Sequence, residues 1–210
     1  MNYLFFDTET TGLLPKDCEI KNNINNFPRL VEFGFVLLDN NFKEIYSADY
    51  IIKPKDFEIP VNCSEIHKIT TEIANEKGVD IKNALDDFQD NYNKSDCLVC
   101  HNFYFDRKIV ESELFRQNII VKMKEKLHIC TMIKTIKFVG ALFKNGRPNK
   151  YPTLSELYLK IFNKDFENKH NALSDIKATV ECFKELINLK IFDMEVIIEK
   201  FNIQKQNNEN

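Results

Sequence analysis

Tryptophan is absent, and the 210 residues include only five glycines and six prolines. No Gly- or Pro-rich linker divides the chain and no internal repeat is visible, so one domain is expected. No uninterrupted apolar run approaches the span of a membrane helix. The N-terminus lacks the basic-then-apolar layout of a signal peptide, because Asp7 arrives too early. An intracellular, cytoplasmic protein without membrane attachment is expected. In that setting the six cysteines (Cys18, Cys63, Cys97, Cys100, Cys130 and Cys182) should be reduced rather than bridged. A second Cys-x-x-Cys is also missing, which disposes of the string Cys97-Leu98-Val99-Cys100-His101. Haem attachment there would require export, and a zinc site would need two more ligands at matching spacing. In a strand Cys97 and Cys100 point to opposite faces, which suits small buried residues.

What is present can build a core: 43% of residues are apolar. The formal net charge of −3 hides an asymmetry. Lys122, Lys124, Lys126, Lys134, Lys137, Lys144, Arg147 and Lys150 are opposed only by Glu125, so residues 122–150 carry +7 and the rest −10. A basic strip on an acidic body fits a polyanion held against a cation-binding acidic pocket. A solvated helix-and-loop surface is the plain alternative.

Strand signals come first. Tyr3–Phe6 is apolar and aromatic and runs into Asp7 and Glu9. A polar loop follows from Leu14 to Arg29, Asn-rich and expected to be mobile. Leu30–Leu38 is an apolar run interrupted only by Glu32 and Gly34, and after Asp39-Asn40-Asn41 the stretch Phe42–Ile52 alternates as its antiparallel partner. Helical spacing appears over Glu65–Lys77 and Asp80–Tyr92. Asp96–Cys100 and Leu127–Cys130 read as short strands, with a helix between them carrying Ile109, Val110 and Leu114. The basic segment contains Gly140, Gly146 and Pro148 and should include a loop. Thr153–Ile161 and Ala172–Leu189 are amphipathic helices, and residues 204–210 form a polar tail expected to be disordered. The pattern is α/β with a mixed sheet.

Asp7 and Glu9 leave the same face of a strand. Two carboxylates so close repel each other and persist when a cation sits between them or one keeps a proton. Hard oxygen donors suit Mg²⁺ or Mn²⁺. Asp106 follows His101-Asn102-Phe103-Tyr104-Phe105 early in a helix, and Asp175 lies early in another helix, five residues after His170. Singly, each acid reads as a helix-dipole partner and the histidine as a surface residue.

Together, Asp7-Thr8-Glu9-Thr10-Thr11-Gly12-Leu13, His101 to Asp106 and His170 to Asp175 resemble the three motifs of the DEDDh (DnaQ-like) 3′→5′ exonucleases, in the epsilon-type form found with bacterial DNA polymerase III. Arg29–Gly34, Glu65-Ile66-His67-Lys68-Ile69-Thr70 and Tyr151–Leu157 resemble intervening family segments, with Lys68 where the family has Gly. Asn171 stands where the sister subclass carries Tyr, and His170 stands at the His-type position. The resemblance implies an RNase H-like fold with a mixed five-stranded sheet over residues 1–203. It also implies two divalent ions held by Asp7, Glu9, Asp106 and Asp175, with His170 as general base. Thr10, Thr11 and Leu13 stand where the family meets the terminal nucleotide. His67 and Asn102 are secondary contacts, Phe103 or Tyr104 a base platform, and Phe105 a core residue. The implied partners are single-stranded DNA or RNA 3′ ends and a DNA polymerase. Thr10-Thr11-Gly12 leans toward DNA, since oligoribonucleases carry Met-Thr-Gly there. The alternatives are an RNA exonuclease of the same family and a decayed module that only binds nucleic acid or a polymerase.

Overall fold

The computed structural model describes residues 1–209. In chain order the first half holds β1 (Tyr3–Thr10), α1 (Ile20–Asn23), β2 (Leu30–Leu38), β3 (Glu44–Ile51), α2 (Val61–His67), α3 (Thr71–Lys77) and α4 (Ile81–Lys94). The second half holds β4 (Cys97–Cys100), α5 (Phe103–Arg116), β5 (Leu127–Cys130), α6 (Thr131–Lys134), α7 (Ile136–Val139), α8 (Leu154–Phe162), α9 (Ala172–Asn188) and α10 (Met194–Glu209). No described helix is long and apolar enough to cross a membrane.

The five strands form one mixed sheet in the order β3-β2-β1-β4-β5. β1 and β2 pair antiparallel, as do β2 and β3, whereas β1–β4 and β4–β5 are parallel. Alternation along β1 divides the core. Leu4 and Phe6 join Phe33, Phe35 and Phe88 on the face covered by α4 and α5. Tyr3 and Phe5 join Val36, Cys182 and Phe183 beneath α8, α9 and α10. Cys97 falls in the second cluster and Cys100 in the first, so the two point to opposite faces, and all six cysteines are free. Since β4 pairs with β1 only as far as Phe5, the last residues of β1 are bare on that side. Side chains from neighbouring helices can reach them there.

Several local features depart from the expectations. The helical stretch 65–77 is broken at Lys68, which adopts a left-handed φ of +65° and caps α2 through its N–H to Ser64. This is the position where the family motif has Gly, and a left-handed lysine carries about 1 kcal/mol or more of backbone strain. Thr70 then caps α3. β3 starts at Glu44 because Phe42, at φ +59°, belongs to the turn held by Asp39 and stacks its ring on Tyr3. The segment 14–29, expected to be mobile, contains α1 and a 3₁₀ turn and is tied to α5: Arg116 donates to the Ile24 and Phe27 carbonyls and Lys108 to that of Cys18. Much of the stretch 204–210, expected as a disordered tail, continues α10 to Glu209, with Asn210 outside the described residues.

Gly34 decides how close α9 comes to the sheet. It lies opposite Asp7, and a Cβ there would meet Ile176 Cδ1 at 2.9 Å and Ala172 Cβ at 3.0 Å. Gly34→Val should therefore push α9 outward and destabilise the fold by about 1–3 kcal/mol, the usual cost of overpacking. A lowered urea midpoint with an unchanged slope is the expected result, and an unchanged midpoint would contradict this packing.

Candidate active site

At the C-terminal end of β1 the chain gathers its acids in an open cleft of about 620 Å³, lined by Asp7, Glu9, Asp106, His170 and Asp175. Asp7 and Glu9 emerge on the α9 face, opposite Gly34 and Glu32 respectively. Asp106 enters from the first turn of α5 over the edge that β4 leaves bare, where it accepts a 2.8 Å hydrogen bond from the Thr8 hydroxyl. Asp175 arrives from the first turn of α9, beside the turn that carries His170. Ligand atoms of Glu9, His170 and Asp175 all lie within 4.8 Å of one another. A larger groove of about 820 Å³ lies away from these residues, against Met1, Asp96 and Phe201, and includes neither this acid cluster nor His170.

Burial and mutual repulsion weaken these acids. Burial first, then Asp106, Asp175, Glu9 and Glu32, holds the Asp7 carboxyl well above the ordinary carboxylate range. Burial, followed by Asp175 and Glu32, pushes Glu9 to about 8. Burial lifts Asp106 to about 7 despite the Thr8 hydrogen bond. Asp175 reaches about 6 through burial, opposed by the His170 backbone N–H and by Lys169. One oxygen, Asp175 Oδ1, is buried with no hydrogen-bond partner among the described residues. Four hard oxygen donors, strained by like charge and with one lone pair unused, fit a divalent cation.

Glu32 was not singled out by the sequence, where it is merely an acid inside an apolar strand. Buried near the start of β2, it accepts from Asn171 Nδ2 at 2.8 Å and from the Ala172 N–H at 2.9 Å. Asn171 in turn caps α9 by accepting from the Ser174 N–H at 3.1 Å. Glu32 thus bolts the N-terminus of α9, and with it His170 and Asp175, to the sheet beside Glu9. Burial raises its pKa to about 7, against the pull of these two donors.

The expected substrate contacts divide. Leu13 is 86% exposed, and with Phe105 it stands between the main cleft and a side pocket of about 400 Å³ that also holds Thr10 and His67. His67 is buried; burial lowers its pKa and the Thr10 backbone opposes that. Asn102, at φ +98°, opens α5 and lines the cleft. Three expectations need correction. Phe103 is a core residue, not a platform: its ring stacks on His128 at 4.3 Å and meets Phe6 edge-on. Two positions on, Phe105 faces the cleft instead, because successive helical side chains diverge by about 100°. Thr11 is absorbed by the fold, its N–H donating to the Arg29 carbonyl and its hydroxyl accepting from the Arg29 N–H.

His101 ties the opposite wall to the strands. The Pro152 carbonyl can only accept, so His101 Nε2 carries the proton of that 3.0 Å bond. Burial lowers the ring's pKa to about 4; the ring is neutral, and Nδ1 accepts from the Thr131 hydroxyl at 2.9 Å.

An exonuclease family profile matches residues 4–183. The chain is 31% identical over 174 residues to the DNA polymerase III subunit epsilon of Buchnera aphidicola subsp. Acyrthosiphon pisum, covering 82% of this chain and 67% of that one. A second epsilon subunit, from the Baizongia pistaciae subspecies, is 28% identical over 200 residues, covering 90% and 74%. Among solved structures, E. coli exonuclease I in complex with a dT13 oligonucleotide superposes with a TM-score of 0.72 at 19% identity, over 89% of this chain. The chain spans 40% of that exonuclease I chain, and the likeness is one of fold. The fold is the RNase H-like arrangement that the resemblance implied.

The raised acids bind protons more tightly when folded than when unfolded, where carboxyl groups titrate near 4. As pH rises from about 4 toward about 8 the unfolded chain releases its protons first, so the metal-free protein should lose stability through that window. Mn²⁺ should accordingly raise the melting temperature more at pH 8 than at pH 5. Thermal melts in EDTA and in Mn²⁺ across this range would show it, and a flat EDTA profile would contradict the clustering.

Proposed function

The chain belongs to the DnaQ-like 3′→5′ exonuclease family, and from that premise we propose that it removes 5′-mononucleotides from single-stranded 3′ ends, DNA by preference, in a metal-dependent reaction carried by residues 1–203. The observation behind this reading is the meeting of four carboxyl groups and an imidazole from three distant segments in one cleft.

Asp7, Glu9, Asp106 and Asp175 would hold two divalent ions, Mg²⁺ or Mn²⁺. Such ions supply an activated water and neutralise charge on the phosphoryl and leaving oxygens. The unpartnered Asp175 Oδ1 and the raised carboxyl pKa values favour this assignment. His170, exposed at the lip of the cleft, takes a proton on its ring from the attacking water. The water oxygen bonds to phosphorus and the bond from phosphorus to the 3′-oxygen breaks. The products are a 5′-mononucleotide and a strand one residue shorter, whose 3′-oxygen is reprotonated from solvent. Leu13, exposed between the two pockets, wedges against the terminal base, with Phe105 beneath it. Glu32 is a positioning residue that acts through Asn171 and Ala172.

DNA is favoured over RNA by Thr10-Thr11-Gly12, whose Thr10 hydroxyl donates to the Gly12 carbonyl at 2.7 Å and shapes the turn beside Glu9. Partnership with a DNA polymerase is suggested by relatives named as polymerase III subunits. A decayed binding module is disfavoured by the presence of all five site residues.

On a 3′-labelled oligonucleotide, Asp7→Asn and Asp175→Asn should abolish cleavage and weaken Mn²⁺ binding. His170→Ala should lower kcat by about 10²–10⁴-fold, the usual contribution of a general base, with Mn²⁺ still bound. Full turnover in His170→Ala would remove the imidazole from its role. Competition between short DNA and short RNA of one sequence should favour DNA, and the reverse order would make the protein a ribonuclease of this family.

A further inference from the structure

The basic strip seen in the composition runs up to the cleft: Met132 within it, and Tyr151 and Pro152 directly after it, line the pocket that holds the acids. Residues 126–155 contain no acid at all. Within them the chain doubles back: the Lys150 N–H donates to the Ala141 carbonyl at 3.2 Å and the Phe143 N–H to the Arg147 carbonyl at 2.9 Å. The turn closes with the Gly146 N–H on the Phe143 carbonyl at 2.8 Å, and Gly146 takes the left-handed φ of +79° that this reversal needs. The result is a short finger in which residues 142–149 are all exposed.

Two things about the finger are unexplained by folding. Leu142, Phe143 and Tyr151 keep 58%, 42% and 57% of their surface in water. Lys144 and Arg147 have no carboxylate within ion-pair distance among the described residues, whereas Lys150 is spent on Glu156 and Lys126 on backbone carbonyls. The Arg147 guanidinium lies over the Phe143 ring, 5.3 Å from its centre. The root is rigid. His101 holds the Pro152 carbonyl, and Thr153 and Glu156 close a reciprocal cap on α8. Tyr151 lies at that root and lines the cleft with Asp7 and His170.

Exposed rings interleaved with unpaired cations, anchored beside a hydrolytic cleft, match the chemistry of a single nucleic-acid strand: bases stack on aromatic faces and phosphates pair with cations. We propose that the finger, residues 141–151, is a clamp for the nucleotides on the 5′ side of the scissile bond, so that this chain is built for unpaired strands several nucleotides long. The clamp rests on the exonuclease reading for its orientation toward the cleft. A duplex hides its base faces and offers the finger only phosphates.

The test uses the full chain and a fluorescein-labelled oligothymidylate of about twelve nucleotides, within the span that such strand-binding sites cover. Anisotropy in EDTA reads binding without cleavage. Phe143→Ala should weaken binding between about 5- and 150-fold, the range of one base stack. Lys144→Ala with Arg147→Ala should flatten the slope of log affinity against log salt by about 1.4. In cleavage assays the wild-type KM should fall as the strand lengthens from a dinucleotide, and both variants should lose that length dependence. Wild-type affinity, salt slope and length dependence in both variants would overturn the clamp, as would failure of the wild type to bind the oligothymidylate. A wild type that binds but does not cleave would instead overturn the exonuclease reading, leaving the clamp to be decided by anisotropy.

Discussion

Four carboxyl groups from three separate segments are pressed together at the end of β1, and the remainder of the molecule supplies what holds them there. Two unit charges 4 Å apart in a partly screened interior repel by roughly 4 kcal/mol. Phe5, Phe6, Phe33, Phe35, Phe88 and Phe183 are each buried to within 2%. A fully buried phenylalanine contributes about 1.5–3 kcal/mol, so burying two such rings offsets the repulsion of about one charged pair. The cost appears in the acids themselves, which retain protons to unusually high pH. The site is an electrostatic strain imposed by a hydrophobic frame.

Within that frame the segments differ in how they are held. Asp7 and Glu9 are fixed by β1 pairing with β2, beyond the stretch Tyr3–Phe5 that β4 also holds. Asp106 is fixed by a helix start and the Thr8 hydroxyl. Asp175 and His170 depend on a longer-range arrangement: Gly34 lets α9 approach, and Glu32 receives its first N–H and the Asn171 amide. An acid is well suited to this last task. It can accept two donors at once and complement the positive end of the α9 dipole. It also adds charge to an already crowded corner.

The parts of this arrangement legible in the sequence are those written in residue type and spacing. β2 occupies Leu30–Leu38 as the largely apolar run predicts, and the alternation of Asp7 and Glu9 follows from strand geometry alone. Other features depend on information that no single stretch carries. The role of Glu32 needs the β1–β2 register and the docking of α9, which lie 140 residues apart along the chain. That Phe103 packs into the core while Phe105 also reaches the cleft depends on how α5 docks on the sheet, which residue type does not show. The break at Lys68 is invisible because lysine is an ordinary helix residue and only its backbone angle ends the helix. The anchoring of segment 14–29 rests on Arg116 and Lys108, whose reach into that segment requires the folded α5.

The Glu32–Ala172 contact also joins segments that are made at very different times. During synthesis β1, β2 and even Asp106 leave the ribosome long before the turn that brings His170. A nascent chain can therefore pair its strands and cover one face with α4 and α5, while the face under Tyr3 and Phe5 waits for Phe183 of α9. Docking of α9 thus completes the site and the second core layer in one late step, and a truncated product that stops before α9 would lack both Asp175 and the Phe183 side of its core.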